Sequence, residues 1–145
     1  MLIETRDSLD PELAALLAAQ QWELAEFGVR AGSRTAEPDD AAEYLVGAVH
    51  GRAVACGSWQ ALEPGTAGLS RMYVRPAFRG RGLARQMIVA VEEEALAAGR
   101  PLLRLEVEAR LPAAIALYQS SGYRQVTPAG SGLVRFEKRL LASVQ

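Results

Sequence analysis

Short apolar runs alternate along this chain with stretches in which apolar residues recur at helical spacing. Runs over residues 44–49 and 52–59 are typical of strands, and His50-Gly51 between them is a compact hairpin signal. Leu13, Leu16 and Leu17 fall on one helical face, and the preceding Asp10-Pro11 suits a helix start. The pattern therefore predicts a first helix followed by a β-hairpin.

The longest helical stripe follows a glycine-rich turn in the middle of the chain. It predicts a helix over about residues 82–98, with apolar positions at Ala84, Met87, Ile88, Val91 and Ala95. The acidic run Glu92, Glu93 and Glu94 is expected mostly on the solvent side of this helix. A shorter helix is predicted to begin at Pro112 and to be closed by Gly122, with a stripe of Leu111, Ala114, Ile115 and Tyr118.

Five further apolar runs predict strands at residues 2–5, 69–74, 102–108, 123–126 and 133–140. The predicted order is β-α-loop-β-β-β-α-β-α-β-β, with the loop over about residues 28–40. Because helices and strands intermix, we expect an α/β (α+β) fold in which helices flank a central mixed β-sheet. The length of 145 residues predicts a single domain over residues 1–145.

Composition argues against several classes of function. A net charge of −1 argues against broad binding to nucleic acid or to a membrane surface. No apolar run approaches the ~18 residues of a membrane span, and the N-terminus lacks a signal-peptide pattern. The single cysteine, Cys56, suits a reducing cytoplasm and is expected to be a buried structural thiol. His50 has no histidine or cysteine nearby in sequence, so we expect no zinc site.

Chemistry is concentrated where the strand ending at Val74 meets the long helix. Arg79, Arg81 and Arg85 lie near the helix N-terminus, whose positive partial charge should repel them unless an anion binds there. Free amides, glycines and guanidinium groups together predict a phosphate cradle, which we define as residues 79–84. Leu83-Ala84 rules out a Walker loop, and Arg85 departs from the dinucleotide fingerprint.

Two motifs resemble those of the GNAT family of N-acetyltransferases. Residues 79–84, with the sequence Arg-Gly-Arg-Gly-Leu-Ala, are similar to its pyrophosphate-binding motif Arg/Gln-x-x-Gly-x-Gly/Ala. Residues 114–123 are similar to its pattern of Ala-x-x-Leu-Tyr followed by Gly-Phe or Gly-Tyr. The motifs stand in the family order with one predicted strand between them. The resemblance therefore implies the acyl-CoA N-acyltransferase fold and transfer of an acetyl group from acetyl-CoA to a primary amine.

The resemblance also implies roles for individual residues. It implies that the backbone of Met72, Tyr73 and Val74 pairs with the pantetheine arm, and that an amide near Met72 stabilises the oxyanion. The pyrophosphate would be held by Arg79 and by the amides of Gly80, Arg81, Gly82, Leu83 and Ala84. The thioester would lie where neighbouring parallel strands splay apart. Tyr118 matches the tyrosine that protonates the leaving thiolate, although its position on the helical stripe is equally typical of a core residue.

The general base is less defined by sequence. Many family members carry a glutamate on the central strand where this chain has Gly68 and Leu69. Glu106 and Glu108 share one side of the next strand and are the remaining candidates. Ion pairing with Arg104, Arg71 or Arg110, and a water relay without a dedicated base, are the alternatives. Leu111 also replaces a common family asparagine, which leaves some pantetheine contacts open.

The amine acceptor is expected beside the first helix and the loop at 28–40. Glu37, Asp39 and Asp40 of that loop are candidates to attract a cationic amine. A different class of function, a non-catalytic module that binds or senses acyl-CoA, is the alternative; Tyr118 favours the enzyme, because a pure binder has no thiolate to protonate. Family members are often dimers, so a homodimer is an expectation of the resemblance alone.

Overall fold

The structure is a computed structural model that describes residues 1–28, 41–126 and 132–141. Its elements follow the predicted order. They are β1 (Leu2–Arg6), α1 (Pro11–Glu26), β2 (Glu43–Val49), β3 (Arg52–Ala61), β4 (Thr66–Val74), α2 (Leu83–Ala97), β5 (Leu102–Glu108), α3 (Pro112–Ser120), β6 (Arg124–Gln125) and β7 (Leu133–Arg139). The predicted loop at 28–40 lies outside the described residues except for its first position.

The strands form one seven-stranded sheet in the order β1-β2-β3-β4-β5-β7-β6. All neighbours are antiparallel except β4 and β5, which run parallel and are joined through α2. A parallel pair needs a long crossover of this kind, whereas antiparallel strands can be joined by short turns. The β2–β3 turn is such a case, because His50 and Gly51 have φ values of 50° and 79°, as a tight hairpin requires. The mixed sheet confirms the predicted fold class.

Alternating strand residues give the sheet two buried faces. On β2, Tyr44 and Val46 pack in the cluster that contains the α1 leucines, whereas Leu45 packs in the cluster that contains α2. The predicted stripes are confirmed at their central positions, since Leu13, Leu16, Leu17, Met87, Ile88, Val91 and Ala95 are all buried. Each helix therefore covers one face of the sheet with the residues that its periodicity singled out.

The acidic run on α2 is the clear exception to the sequence prediction. Glu93 is exposed, but Glu92 is only 7% exposed and accepts hydrogen bonds from the Tyr123 hydroxyl (2.8 Å) and from Lys138 Nζ (3.1 Å). The expectation of a solvent-facing Glu92 is therefore wrong. It lies four residues after Ile88, on the apolar stripe itself, and its charge is tolerated there because a lysine and a phenol are both directed at it.

Three further observations concern β6, Cys56 and the length of the helices. Strand β6 has only two residues, where a strand over 123–126 is predicted. Cys56 is fully buried, as expected, and burial raises the pKa of its thiol from 9.0 to about 12. None of the helices in the described parts of the chain is long and apolar enough to cross a membrane.

Candidate active site

A cleft of about 660 Å³ opens where β4 and β5 separate. The two strands pair only over Thr66–Gly68 and Leu102–Arg104, and beyond that point β5 pairs with β7 alone. Residues 69–74 of β4 and 105–108 of β5 therefore line opposite walls of a wedge. The predicted gap between neighbouring parallel strands is present, and α1 and α3 contribute its remaining sides.

Strand β4 carries a β-bulge at this wedge. The register with β3 shifts so that Arg71 and Met72 lie opposite Gly57 alone. Arg71 adopts a φ of 57°, in the left-handed region that side chains other than glycine rarely occupy. Gly57 makes room for the bulge, because a Cβ there would come within 2.9 Å of Met72 Cε. The bulge turns this part of the backbone out of the regular ladder at the point where the cleft begins.

The phosphate cradle lies between β4 and α2. Gly80 and Gly82 have φ values of 79° and 78°, and a Cβ on either would meet no atom within 4 Å among the described residues. Within the same described part of the chain, no side chain caps α2 and no acidic residue occupies its first turn. The first amides of a helix have no intrahelical partner. The cradle therefore fits a pyrophosphate, with open space above its glycines and amides that need an acceptor.

The arginine side chains around the cradle do not all point into it. Arg79 Nε donates to the Val74 carbonyl, and its Nη2 donates to both carboxylate oxygens of Glu23, each bond being 2.8 Å long. The Arg81 guanidinium lies 5.2 Å from the Phe78 ring centre. Arg79 is thus tied to α1, and the backbone of the cradle is its most open binding surface.

The three residues assigned to the pantetheine arm lie along the cleft edge of β4. Tyr73 and Val74 pair with β3, and their side chains pack on opposite faces of the sheet. The Met72 carbonyl accepts a hydrogen bond from Gln20 Nε2 at 3.0 Å, as the Val74 carbonyl does from Arg79. A carbonyl oxygen has two lone pairs, so each of these groups retains capacity for a further donor.

Tyr118 lies on α3 and lines the cleft, where it is 6% exposed. Its ring meets that of Tyr123 edge to face, with centroids 5.7 Å apart and an interplanar angle of 76°. The Tyr123 amide also donates to the Tyr118 carbonyl at 3.0 Å. The ring contact holds the edge of the Tyr118 ring, and the hydrogen bond holds the backbone of the same residue.

Glu106 and Glu108 both line the cleft from β5. Glu106 has a 46% exposed side chain and lies 3.4 Å from Arg135, the residue paired with it on β7. Glu108 has a 27% exposed side chain and a looser contact of 3.8 Å with Arg110. Arg104, one of the suggested partners, forms its ion pairs with Glu63 and Glu137 instead of with Glu106 or Glu108. Glu108 is therefore the less solvated and less tightly paired of the two.

Glu37, Asp39 and Asp40, proposed to attract a cationic acceptor, lie outside the described residues. Within residues 1–28, 41–126 and 132–141, no group of three histidine, cysteine or acidic residues could hold a metal ion.

Sequence reasoning missed the polar residues of α1 that line the cleft and bind β4 or the cradle. Gln20 and Glu23 both line the cleft, bound to Met72 and Arg79 respectively. Gln20 lies four residues after Leu16 and three after Leu17, so it continues the buried stripe of α1. A polar residue on an apolar stripe was the available signal.

Comparisons with known proteins agree with this geometry. Residues 6–123 match the acetyltransferase (GNAT) family model. The chain is 31% identical over 130 residues to an IAA acetyltransferase of Azospirillum brasilense, covering 89% of this chain and 80% of that protein. A solved structure from Klebsiella pneumoniae assigned to the acyl-CoA N-acyltransferases is 29% identical, with a TM-score of 0.81 and 97% of both chains covered.

A more distant structure shows the shared fold. The PaiA N-acetyltransferase of Thermoplasma acidophilum, solved in complex with coenzyme A, has a TM-score of 0.72 at 16% identity, with 96% of this chain and 99% of that chain covered. The family match spans well over half of this chain, and acetyl-CoA is the acetyl donor of the family. The chain therefore belongs to the GNAT family of acetyltransferases, and it is an acetyl-CoA-dependent N-acetyltransferase and not a non-catalytic acyl-CoA-binding module.

Proposed function

We propose that this protein transfers the acetyl group of acetyl-CoA to a primary amine of a small molecule or peptide by direct attack in a ternary complex. The observation that carries the proposal is that one cleft is lined by Tyr118, Glu108 and Met72 and lies beside the phosphate cradle. A proton donor, a proton acceptor and backbone amides at the bulge thus share one cavity. Direct transfer needs that arrangement, because the acceptor must attack while the donor is bound.

The cradle holds the donor. Amides of Gly80, Arg81, Gly82, Leu83 and Ala84 bind the pyrophosphate, and the left-handed glycines let the backbone approach it closely. Arg79 adds positive charge at the leading position of the motif. The backbone of Met72, Tyr73 and Val74 aligns the pantetheine arm along the free edge of β4, as an added strand would lie.

The bulge and Tyr118 act on the reacting atoms. Bound acetyl-CoA supplies an activated acetyl thioester. The Met72 amide donates a hydrogen bond to the carbonyl oxygen as negative charge develops on it. When the carbon–sulfur bond breaks, the Tyr118 hydroxyl donates its proton to the departing thiolate, and the proton that the attacking nitrogen loses as it becomes an amide returns to the tyrosine through solvent. The edge contact with Tyr123 keeps the Tyr118 ring in place for this step.

Glu108 prepares the acceptor for attack. An alkyl ammonium ion has a free pKa of about 10.4 and must lose a proton before its nitrogen can act as a nucleophile. Glu108 accepts this proton. Because its side chain is partly exposed, the carboxyl group then releases the proton to solvent. Glu106 is the second candidate for this role, although its pairing with Arg135 and its greater exposure make it less suited.

The acceptor approaches from the side of α1, and a cationic amine is the class that fits best. Glu23 on α1 and Glu106 and Glu108 on β5 line the same cleft with carboxylates. Glu37, Asp39 and Asp40 add negative charge nearby in sequence. Neutralising those three residues should raise KM for cationic amines but not for neutral ones; KM values unchanged from the parent in both classes would remove the three residues from the substrate site.

We also propose a cytoplasmic location and a homodimer. The only cysteine is a buried free thiol, which suits a reducing compartment. The homodimer rests on the family alone, and sedimentation equilibrium with and without acetyl-CoA measures it directly.

The proposal is tested first by ligand-dependent unfolding. At ~100 times Kd, a ligand that binds only the folded state adds about 2.7 kcal/mol, or roughly 5–10 °C in Tm for this size. Acetyl-CoA should produce this rise in the parent and much less in an Arg79→Ala/Arg81→Ala variant. Thiol release with a panel of amines then tests turnover. Binding without thiol release for any amine class would contradict the proposed acetyl transfer.

A further inference from the structure

Three successive carbonyl groups of the β4 bulge are each held by a side chain from another part of the fold. The Ser70 carbonyl accepts from Ser58 Oγ at 3.1 Å, and the Arg71 carbonyl from the Cys56 thiol at 3.4 Å. The Met72 carbonyl accepts from Gln20 Nε2 at 3.0 Å. A bulge interrupts the regular ladder, so its carbonyl groups need hydrogen-bond donors from elsewhere. Here side chains from β3 and α1 supply them.

The last two of these bonds flank one residue. The peptide between Arg71 and Met72 is trans, so the Met72 N–H points away from the Arg71 carbonyl and therefore away from the Cys56 thiol. The next peptide plane carries the Met72 carbonyl, which Gln20 holds from α1. A residue has only two soft backbone torsions, φ and ψ. A hydrogen bond to the carbonyl on each side of Met72 therefore restricts both of its torsions.

We infer that Gln20 is a positioning residue, which acts with Cys56 to aim the Met72 amide at the acetyl carbonyl. The inference rests on the proposed function, because only a reaction at an acetyl carbonyl gives that amide something to stabilise. Its physical reason is preorganisation. A donor fixed before the reaction stabilises developing charge without reorganising, whereas a donor that must first rotate loses part of that effect.

Gln20 is suited to this role by its location. It belongs to α1, lines the cleft and reaches a residue 52 positions later in the chain. Its side-chain amide donates a hydrogen bond to the bulge backbone, whereas Leu16 and Leu17 of the same stripe are fully buried in the core. Substitution of Gln20 therefore removes a hydrogen bond to the bulge without opening the core.

A Gln20→Met variant tests the inference, because methionine has a similar length and no N–H donor. We expect kcat to fall about tenfold, less than the 10²–10³-fold lost when an oxyanion donor is removed outright. KM for acetyl-CoA and Kd for coenzyme A should stay within about twofold, since the cradle is untouched. Gln60→Met, the same change on the far part of β3, is the matched control and should leave both parameters unchanged.

A second measurement does not depend on turnover. The chain has only three methionines, so selective ¹⁵N-methionine labelling isolates the Met72 amide, with the buried Met87 amide as internal reference. In the parent, acetyl-CoA should move the Met72 amide proton downfield relative to coenzyme A, which lacks the acetyl carbonyl. Gln20→Met and Cys56→Ala should reduce this difference. Cys56→Ser, which keeps a donor for the Arg71 carbonyl, should restore it.

The outcomes separate this inference from the proposed function. Unchanged kcat in Gln20→Met, or a parent Met72 resonance that does not distinguish acetyl-CoA from coenzyme A, overturns the inference even if acetyl transfer is intact. A parent that turns over no amine but shows the Met72 difference, reduced by Gln20→Met, contradicts the proposed function and supports the inference.

Discussion

Arg79 Nη2 lies 2.8 Å from both carboxylate oxygens of Glu23, so the leading arginine of the phosphate cradle is bound to helix α1. The guanidinium also lies 5.6 Å from the centre of the Tyr73 ring. This contact joins the acceptor side of the cleft to the donor side. It also sets a carboxylate beside the proposed pyrophosphate site, so Glu23 and a pyrophosphate bound there would compete for one cation.

Glu23→Gln should therefore tighten the binding of coenzyme A. The substitution frees Arg79 and removes a negative charge near the pyrophosphate. Because the pair is partly exposed, its worth is at most about 1 kcal/mol, which corresponds to about fivefold in Kd. Titration calorimetry measures the change, and Glu26→Gln, an exposed glutamate of the same helix, is the control. Weaker binding in Glu23→Gln would mean that Glu23 supports the cradle through Arg79.

Tyr118→Phe should lower kcat by about 10²-fold or more while coenzyme A affinity changes less than twofold. Phenylalanine keeps the edge contact with Tyr123 and removes only the hydroxyl that we propose as the proton donor to the thiolate. Steady-state thiol release gives kcat, and calorimetry gives the affinity. Tyr44→Phe, which removes a buried hydroxyl beneath α1, should leave kcat unchanged. Full activity in Tyr118→Phe would reduce Tyr118 to a core residue.

The pair formed by buried Glu92 and partly exposed Lys138 should contribute measurably to stability. Lys138→Met leaves the buried Glu92 carboxylate without its cation, and we expect a loss of about 2 kcal/mol in the free energy of unfolding. Glu92→Gln should cost less, because its amide oxygen still accepts from the Tyr123 hydroxyl. The double variant should lose less than the sum of the single changes.

Urea denaturation measures these differences. Glu93→Gln, the exposed neighbour on α2, is the matched control and should stay within about 0.5 kcal/mol of the parent. Strict additivity of the two buried substitutions would show that the pair is not coupled.

The elements and their order were predictable from the sequence because the apolar periodicity is strong. Helix α2 shows both the power and the limit of that pattern. Met87, Ile88, Val91 and Ala95 are buried as predicted, but Glu92 shares their face. Its partner Lys138 likewise follows Val134 and Phe136 on the buried face of β7. The sequence around neither residue predicts this contact. Their charges come together only when α2 and β7 take their places in the folded sheet.

The candidate active site also has some features that the sequence predicts and others that it does not. The cradle and Tyr118 lie in contiguous motifs, so their positions could be read from the sequence. The bulge at Arg71, the hydrogen bond from Gln20 to Met72 and the contact of Glu23 with Arg79 each join residues that are far apart in the chain. Such contacts depend on the sheet register and on how α1 crosses it, which periodicity does not specify.

Cys56 should make the stability of this protein fall above pH 9. Burial raises the pKa of its thiol from 9.0 to about 12 in the folded state, so between these values the unfolded chain loses a proton that the folded chain keeps. The free energy of unfolding then decreases as pH rises, by up to about 1.4 kcal/mol per pH unit, and has no such contribution below pH 9.

Cys56→Ser isolates this effect, because serine does not titrate in this range and can still donate to the Arg71 carbonyl. Urea unfolding at pH 8, 9.5 and 10.5 should give a steeper loss of stability in the parent than in the variant, with the gap appearing only above pH 9. Tyrosines that ionise in this range are common to both proteins and cancel in the comparison. Parallel pH profiles would mean that the thiol is hydrated in the folded state, and the Cys56 hydrogen bond to the bulge would then be open to water.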